Sequence, residues 1–376
     1  MRAVIVQPWI SYRGAETVSV LQTYWLQKLG NEATMVCAFR EKTLPPHATD
    51  ISYFMPSSSL QRIFRNYKSI FYIASIPVLL SLLLRHRSDY DVVIAHNYPS
   101  LWVGALAAKM CSKKLLWYVH GGPPQSGFPR NSVSDLLWNV LFDRLDIHAA
   151  GMVDRIIAVS VKIQKEIKKR YNLSADVIYP PIDRKLFSAK SSTDGVRKAL
   201  EIPSQSICLL QVSSLAKEKY SSRSIRVLRN LRKRGIDVYL IIVGVGEDAE
   251  KTGVGGKYAK YIRLVGYVSA EKLKRYYALA DCVIAPSKIS EGCSAVPLQA
   301  LFSGTESVVL SGSGVDEVLG KIDVGECVGN SNQIESAVKS IIDRKNSAKT
   351  RTRIKNVQKR LIKLTDPSIH VRSLLN

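Results

Sequence analysis

Residues Ala280 to Leu310, ADCVIAPSKISEGCSAVPLQALFSGTESVVL, place a strand, a polar loop carrying glycine, and the start of an apolar helix in one 31-residue run. DCVIAP is rich in β-branched residues, as a buried strand requires, and stops at Pro286 and Ser287. Glu291 and Gly292 then open an apolar helix over Val296 to Phe302. The first backbone N–H groups of any helix lack a partner inside it, so they suit an anion such as a diphosphate. Gly292, Cys293 and Ser294 would supply those donors, and Glu291 would accept hydrogen bonds from hydroxyls nearby.

Other residues with chemical capacity stand where strands end. His120 follows LLWYV and precedes Gly121 and Gly122, and His96 ends the strand YDVVIA beside Asn97. A histidine at the carboxyl end of a strand in an α/β protein lies where such folds place their ligands. Gly14, after the first strand, would let backbone approach the diphosphate where a side chain would block it. Tyr12 and Arg13, in the same loop, are candidates to meet an acceptor phosphate. Strands alternate with helical segments from end to end, which favours parallel sheets flanked by helices.

Taken in order, these segments resemble the GT-B glycosyltransferases of family four. The run from Pro286 to Ala300 resembles their motif P-S-x-x-E-G-x-x-x-x-x-x-E-A, with one residue more between Ser287 and Glu291 and Gln299 at the second glutamate. LLQVSSLAKEK (Leu209 to Lys219) resembles the family's phosphate loop, LIIVGVGED (Leu240 to Asp248) its next strand and glycine turn at Gly244, and IRLVGYVSAEKLKRYYALAD (Ile262 to Asp281) the strand with Gly266 and the helix before the donor site. In the first half MRAVIVQPWISYRGAE, YDVVIAHN, LLWYVHGGP, DRIIAVS and VIYPPID follow the family's order.

The resemblance implies two Rossmann-like parallel-sheet domains facing each other across a cleft. Residues 1–183 would form an acceptor-side domain, 184–366 a nucleotide-sugar donor domain, and 367–376 a tail helix returning to the first. It implies a retaining, metal-independent transfer from a nucleoside diphosphate sugar to a lipid-linked or polysaccharide acceptor, with no cofactor and with the leaving phosphate helping to deprotonate the acceptor. Lys219 matches the family's phosphate-loop lysine, Glu291 its first donor-site glutamate, and His120 its histidine beside the reacting sugar. VIYPPID is similar to mannosyltransferase-like members, which tips the donor towards GDP-mannose, with UDP-sugars as the alternative.

Four positions depart from the family pattern. Ser214 stands where the family has an arginine on the phosphate, a change worth roughly 10- to 150-fold in binding unless Lys217 or Arg223 substitutes. Gln299 replaces the second glutamate and accepts hydrogen bonds without its charge. Tyr220 replaces a glycine and Glu306 a proline. These departures permit altered donor choice, or a noncatalytic membrane-associated partner subunit.

With 376 residues the chain suits two domains. Six scattered cysteines without a C-x-x-C pair argue against a disulfide framework or a cysteine metal site and suit a reducing cytosol, and the expected location is peripheral on the cytosolic membrane face. No signal peptide is recognised at the start, because Ala3 to Val6 reads as a short strand. Fifty-four Lys and Arg against 31 Asp and Glu give a net charge of +23, and a surface so charged seeks polyanions. Its densest run, Arg344 to Lys363, holds nine basic residues and no acid; a second spans Arg223 to Arg234. Solvated surface and an anionic membrane are the competing readings, and no specific nucleic acid is expected, for no binding motif or aromatic platform accompanies the charge. The apolar segment Ser69 to Leu84 is too short to span a bilayer comfortably and contains Pro77. It reads as a buried helix or as a patch lying in the membrane interface.

Overall fold

The computed structural model describes residues 1–375 apart from 12–13, 42–43, 49–50, 54–67, 97–98, 122–142, 189–191, 216–218, 220, 247–255, 288–291 and 346. The chain divides into two units, Met1–Pro181 with Pro367–Asn376, and Ile182–Asp366. Each is built on a parallel sheet whose central strands are buried on both faces, and so read as continuous apolar runs rather than as alternation.

In the first unit β1 (Arg2–Ile10), β2 (Glu32–Arg40), β3 (Ile51–Tyr53), β4 (Val92–His96), β5 (Lys114–Val119), β6 (Arg155–Ala158) and β7 (Asp176–Val177) lie in the order β3-β2-β1-β4-β5-β6-β7. Helices α1 (Gly14–Lys28), α2 (Lys68–Arg85), α3 (Ser100–Cys111) and α4 (Val161–Tyr171) connect them. A Cβ at Gly104 of α3 would touch Leu115, Val93 and Ala95, so α3 covers the face those residues share. Ile94, His96 and, by register, Tyr118 point to the opposite face.

Helix α2 settles part of the reading of Ser69 to Leu84. Ser75, Leu79 and Leu83, four residues apart, are buried, while Ile73, Pro77, Ser81 and Arg85 form the exposed row. The helix is therefore half-buried, with Pro77 on its outer side. Among the described residues no helix is long and apolar enough to cross a membrane.

The second unit holds β8 (Ile207–Val212), β9 (Val238–Val243), β10 (Ile262–Gly266), β11 (Cys282–Ala285), β12 (Ser307–Leu310) and β13 (Glu326–Val328), in the order β10-β9-β8-β11-β12-β13. Two short helical turns, Arg184–Phe187 and Asp194–Ala199, lead into it. Its longer helices are α5 (Ser221–Lys233), α6 (Ala270–Leu279), α7 (Ala295–Phe302), α8 (Val315–Ile322), α9 (Ile334–Arg344) and α10 (Ala348–Thr365). The final helix α11 (Pro367–Leu375) belongs to the first unit. Proline at its first position loses only an N–H that has no intrahelical partner, and the Arg155 guanidinium donates to the carbonyls of Ser373 and Leu374 at its far end.

Glu306, where the family pattern has proline, is a buried anchor. It is 4% exposed, takes two hydrogen bonds from the Arg344 guanidinium (3.0 and 3.1 Å), and accepts from the Gly325 N–H (3.2 Å). Arg344 also holds Glu326, which ties α9 to the ends of two strands. Glu306→Ala is expected to cost about 2–3 kcal/mol in urea unfolding, below the roughly 3–5 of a fully buried pair because Arg344 keeps Glu326. Replacing Glu306 and Arg344 together with leucine should cost less than the sum of the single changes.

Candidate active site

An open parallel sheet has a crevice where the strand order reverses, since the connections on its two sides leave in opposite directions. In the second unit that point lies between β8 and β11. The loop after β8 carries Ser213, Ser214 and Lys219, and the loop after β11 leads from Pro286 to α7. Both loops were marked by sequence, and the fold brings them to adjacent strand ends.

The loop after β8 is held from below by a residue that sequence reading missed. Gln211 is fully buried, and its amide nitrogen lies 3.0 Å from Ser213 Oγ, 3.1 Å from Ser221 Oγ and 3.4 Å from the Lys219 carbonyl. Its Oε1 accepts from Ser224 Oγ at 2.7 Å. One amide thus ties the start of the loop to its end and to the first turns of α5. A buried glutamine inside an apolar strand, followed by serines, was the available signal.

From the other side the loop is pressed by backbone. A Cβ on Gly244, which has φ +145°, would fall 1.8 Å from the Ser213 carbonyl oxygen, and one on Gly246 would fall 2.4 Å from that of Leu215. The Ser213 and Leu215 N–H groups donate to Val243 and Val245. Gly244 therefore serves the packing of two loops. Gly266 closes the next strand at φ +76°, and its carbonyl accepts from the Gly244 N–H (2.8 Å).

Helix α7 begins at Ala295 with Ser294 as its N-cap, whose hydroxyl makes no capping bond. Pro297 in its first turn contributes no N–H, so fewer donors point out of this end than a helix ordinarily offers. Gly292 is buried, and Cys293 and Ser294 are half-buried. The Gln299 Oε1 accepts from the buried Tyr277 hydroxyl at 2.9 Å, so a further donor must share that oxygen. Ser214 is exposed, and the Arg223 guanidinium, the proposed substitute for the missing arginine, donates to the Pro286 carbonyl at 2.6 Å. Arg223 thereby joins α5 to the end of β11. Glu291 and Lys217 lie outside the described residues.

In the first unit the order reverses between β1 and β4, where Ser11, Gly14, His96 and Pro99 lie; Tyr12 and Arg13 fall outside the described residues. A Cβ at Gly14 would meet nothing within 4 Å. His96 Nδ1 and His120 Nε2 are 2.7 Å apart, and Tyr118 stacks on His96. His370 of α11 lies against Tyr118, with Nδ1 3.0 Å from the Tyr179 carbonyl and Nε2 2.9 Å from Gln22 Nε2. A carbonyl only accepts, so the His370 proton is on Nδ1 and Gln22 donates to Nε2. His96 Nε2 is buried without a partner among the described residues. A proton there would be an orphaned donor, the costlier choice, so His96 donates from Nδ1 to His120 Nε2. The neutral His120 then carries its proton on Nδ1. His370 and Gln22 were not marked by sequence, because their contact spans 348 positions.

Glycosyltransferase Family 4 matches residues 12–186, and Glycosyl transferases group 1 matches residues 192–360. The chain belongs to glycosyltransferase family 4. An uncharacterized glycosyltransferase of Methanocaldococcus jannaschii is 26% identical over 248 residues, and the match spans 61% of this chain and 60% of that relative's length. Anabaena HepE, solved in complex with UDP and glucose, superposes with a TM-score of 0.73 at 17% identity, covering 100% of this chain and 98% of that one. WaaG, a glycosyltransferase involved in lipopolysaccharide biosynthesis, gives 0.68 at 16%, covering 99% and 98%. The fold is GT-B, as the sequence resemblance implied.

Burial keeps the family member's histidine cluster uncharged. His96 is held well below the usual imidazole range by burial and then by His120, and His370 is lowered to about 4 by burial. Burial and then His370 lower His120 to about 3, although it keeps an exposed edge, so the enclosed pair carries the pH argument. Asp146 opposes it, since burial pushes its carboxyl up to about 7 against the Trp102 hydrogen bond and Arg170. Between pH 6.5 and 4.5 the unfolded chain binds the two histidine protons and the folded chain binds one on Asp146. Stability is therefore expected to fall on acidification by about 1.4 kcal/mol per pH unit from these groups. Asp146→Asn should roughly double that slope in denaturant titrations at stepped pH.

Proposed function

We propose that this protein transfers a hexose, with retention and without a metal, from a nucleoside diphosphate sugar to a lipid-linked or polysaccharide acceptor at the cytosolic face of a membrane. The observation that carries the donor reading is the phosphate-type loop at the β8/β11 reversal, pinned by Gln211 and pressed by Gly244. In this reading Lys219 faces the diphosphate, Ser214, Gly266 and the N–H groups of Gly292, Cys293 and Ser294 line the donor, and Glu291 accepts from the sugar hydroxyls. Preorganised donors of this kind stabilise charge that develops on the leaving diphosphate.

Tyr277 occupies the Gln299 oxygen, so the ribose is held more weakly than by a free carboxylate. His120, neutral and protonated on Nδ1, offers a donor to a sugar hydroxyl and no positive charge. Gly14 lets backbone approach the donor diphosphate, and Tyr12 and Arg13, together with His96, meet the acceptor end. VIYPPID supports GDP-mannose as donor, and the likeness to HepE, solved with UDP-glucose, supports a UDP-sugar.

Titration with GDP, UDP and their sugar conjugates, followed by thermal shift, separates these donors. A nucleotide-dependent rise that Lys219→Ala and Glu291→Ala both lose is expected, whereas no shift at millimolar concentration of any nucleotide would defeat the reading. Gln211→Leu frees the loop ends and leaves Ser224 without its acceptor. It should raise the donor KM about 10-fold or more while the acceptor KM holds.

A further inference from the structure

The two basic runs of the sequence have different fates in the fold. On α5 the arginines are engaged within the unit: Arg223 donates to the Pro286 carbonyl, Arg226 to the Ser331 carbonyl, and Arg232 pairs with Asp237 at 2.6 Å while lying over the Tyr261 ring. Arg234, just beyond, pairs with Glu335. On α10 Lys349 is exposed in the first turn, and the other six cations split into two sets. Arg353 and Arg360 donate to the carbonyls of Asp323, Lys321 and Ile322 at the end of α8, where positive charge is favoured.

The second set, Arg351, Lys355, Lys359 and Lys363, is exposed and recurs every four residues. Each four-residue step turns about 40°, so the set makes a row about 18 Å long that winds across roughly 120° of the helix, its middle about 140° from the buried side of Thr350, Val357, Leu361 and Thr365. Among the described residues Lys355, Lys359 and Lys363 have no carboxylate within ion-pair distance. Like charges four apart weaken a helix, and this row contains three such pairs in succession. A partner that supplies negative charge along a line offsets that cost.

We infer that the outer row of α10 is a contact surface for a layer of anionic phospholipid headgroups, which deepens the membrane part of the proposed function and rests on it. Three of the four cations are lysines, compact point charges rather than the planar forks that read bases and phosphates in fixed geometry. Helix α10 contains no aromatic residue on which bases could stack. The row lies on the outer, convex side of the helix, where long flexible lysine stems can bring their ammonium groups to one headgroup layer, and each cation near such a layer adds an attraction of about five-fold in partitioning.

The test is sedimentation of the full chain with phosphatidylcholine vesicles, with and without phosphatidylglycerol. Binding that requires phosphatidylglycerol is expected, and Lys355→Gln/Lys359→Gln/Lys363→Gln should weaken it on the order of 100-fold. Lys233→Gln/Lys272→Gln/Arg275→Gln, which removes equal exposed charge from the same unit, should change it by no more than a few-fold. Lys359→Glu should weaken binding while raising Tm, because it turns two repulsive pairs into attractive ones. Equal losses in both triple variants, or no binding of the unaltered chain, overturn the inference. Tighter binding to duplex or single-stranded nucleic acid at the same salt, lost with the row, also overturns it and reassigns the row. Nucleotide thermal shift on the same preparations reports the donor site separately, so failure of one reading is not mistaken for failure of the other.

Discussion

A parallel sheet can return to its next strand only by crossing one of its faces, and where the winding reverses, two adjacent strands send their loops apart. The candidate site residues gather around two such places, one between β1 and β4 and one between β8 and β11. The strands themselves are apolar and interchangeable in kind, so they supply rigidity. The ends of the four central strands supply position. That division explains why Gln211, at the last full turn of an otherwise apolar strand, is buried and polar: it stands at the boundary between the part that packs and the part that binds.

Two buried networks of the second unit and the histidine cluster of the first follow different logics. In the second, Glu306 and Gln211 are satisfied almost completely, by Arg344 and Gly325 in one case and by three serines in the other. Such networks fix one arrangement and oppose any other. In the first, among the described residues, His96 at the end of β4, Gln7 within β1 and Gln22 on α1 each keep a buried atom without a partner. A neutral imidazole tolerates a bare acceptor far better than an orphaned proton, and so the cluster stays uncharged with its protons directed along one path from His96 to His120.

Much of this was legible in the chain because it depends on neighbours. The strand DCVIAP became β11, LLQV the end of β8 and LIIV the end of β9, since runs of β-branched and apolar residues bounded by Pro, Ser or Gly have few other uses in an α/β chain. The partners of polar side chains were not legible. Tyr277 finds Gln299 across 22 positions, Arg344 finds Glu306 across 38 and Gln22 finds His370 across 348, and no local pattern marks them. Gly244 illustrates the middle case: its need for glycine could be read from the turn, but its reason, the carbonyl of Ser213, lies on another strand.

Charge shows the same limit most clearly. Arg223 to Arg234 and Arg344 to Lys363 look alike in composition, and both fall on amphipathic helices. Only the surroundings separate them. Arginines that reach carbonyls and carboxylates have their electrostatics met within the fold, and substituting one affects stability and packing first. Lysines in an unbroken outer row have theirs unmet, and their mutual repulsion is a standing cost that helix formation alone gives no reason to keep. What matters is therefore how much of the +23 is left facing outward on one side of a helix. On α10 that remainder is concentrated on the side of the helix turned away from its core.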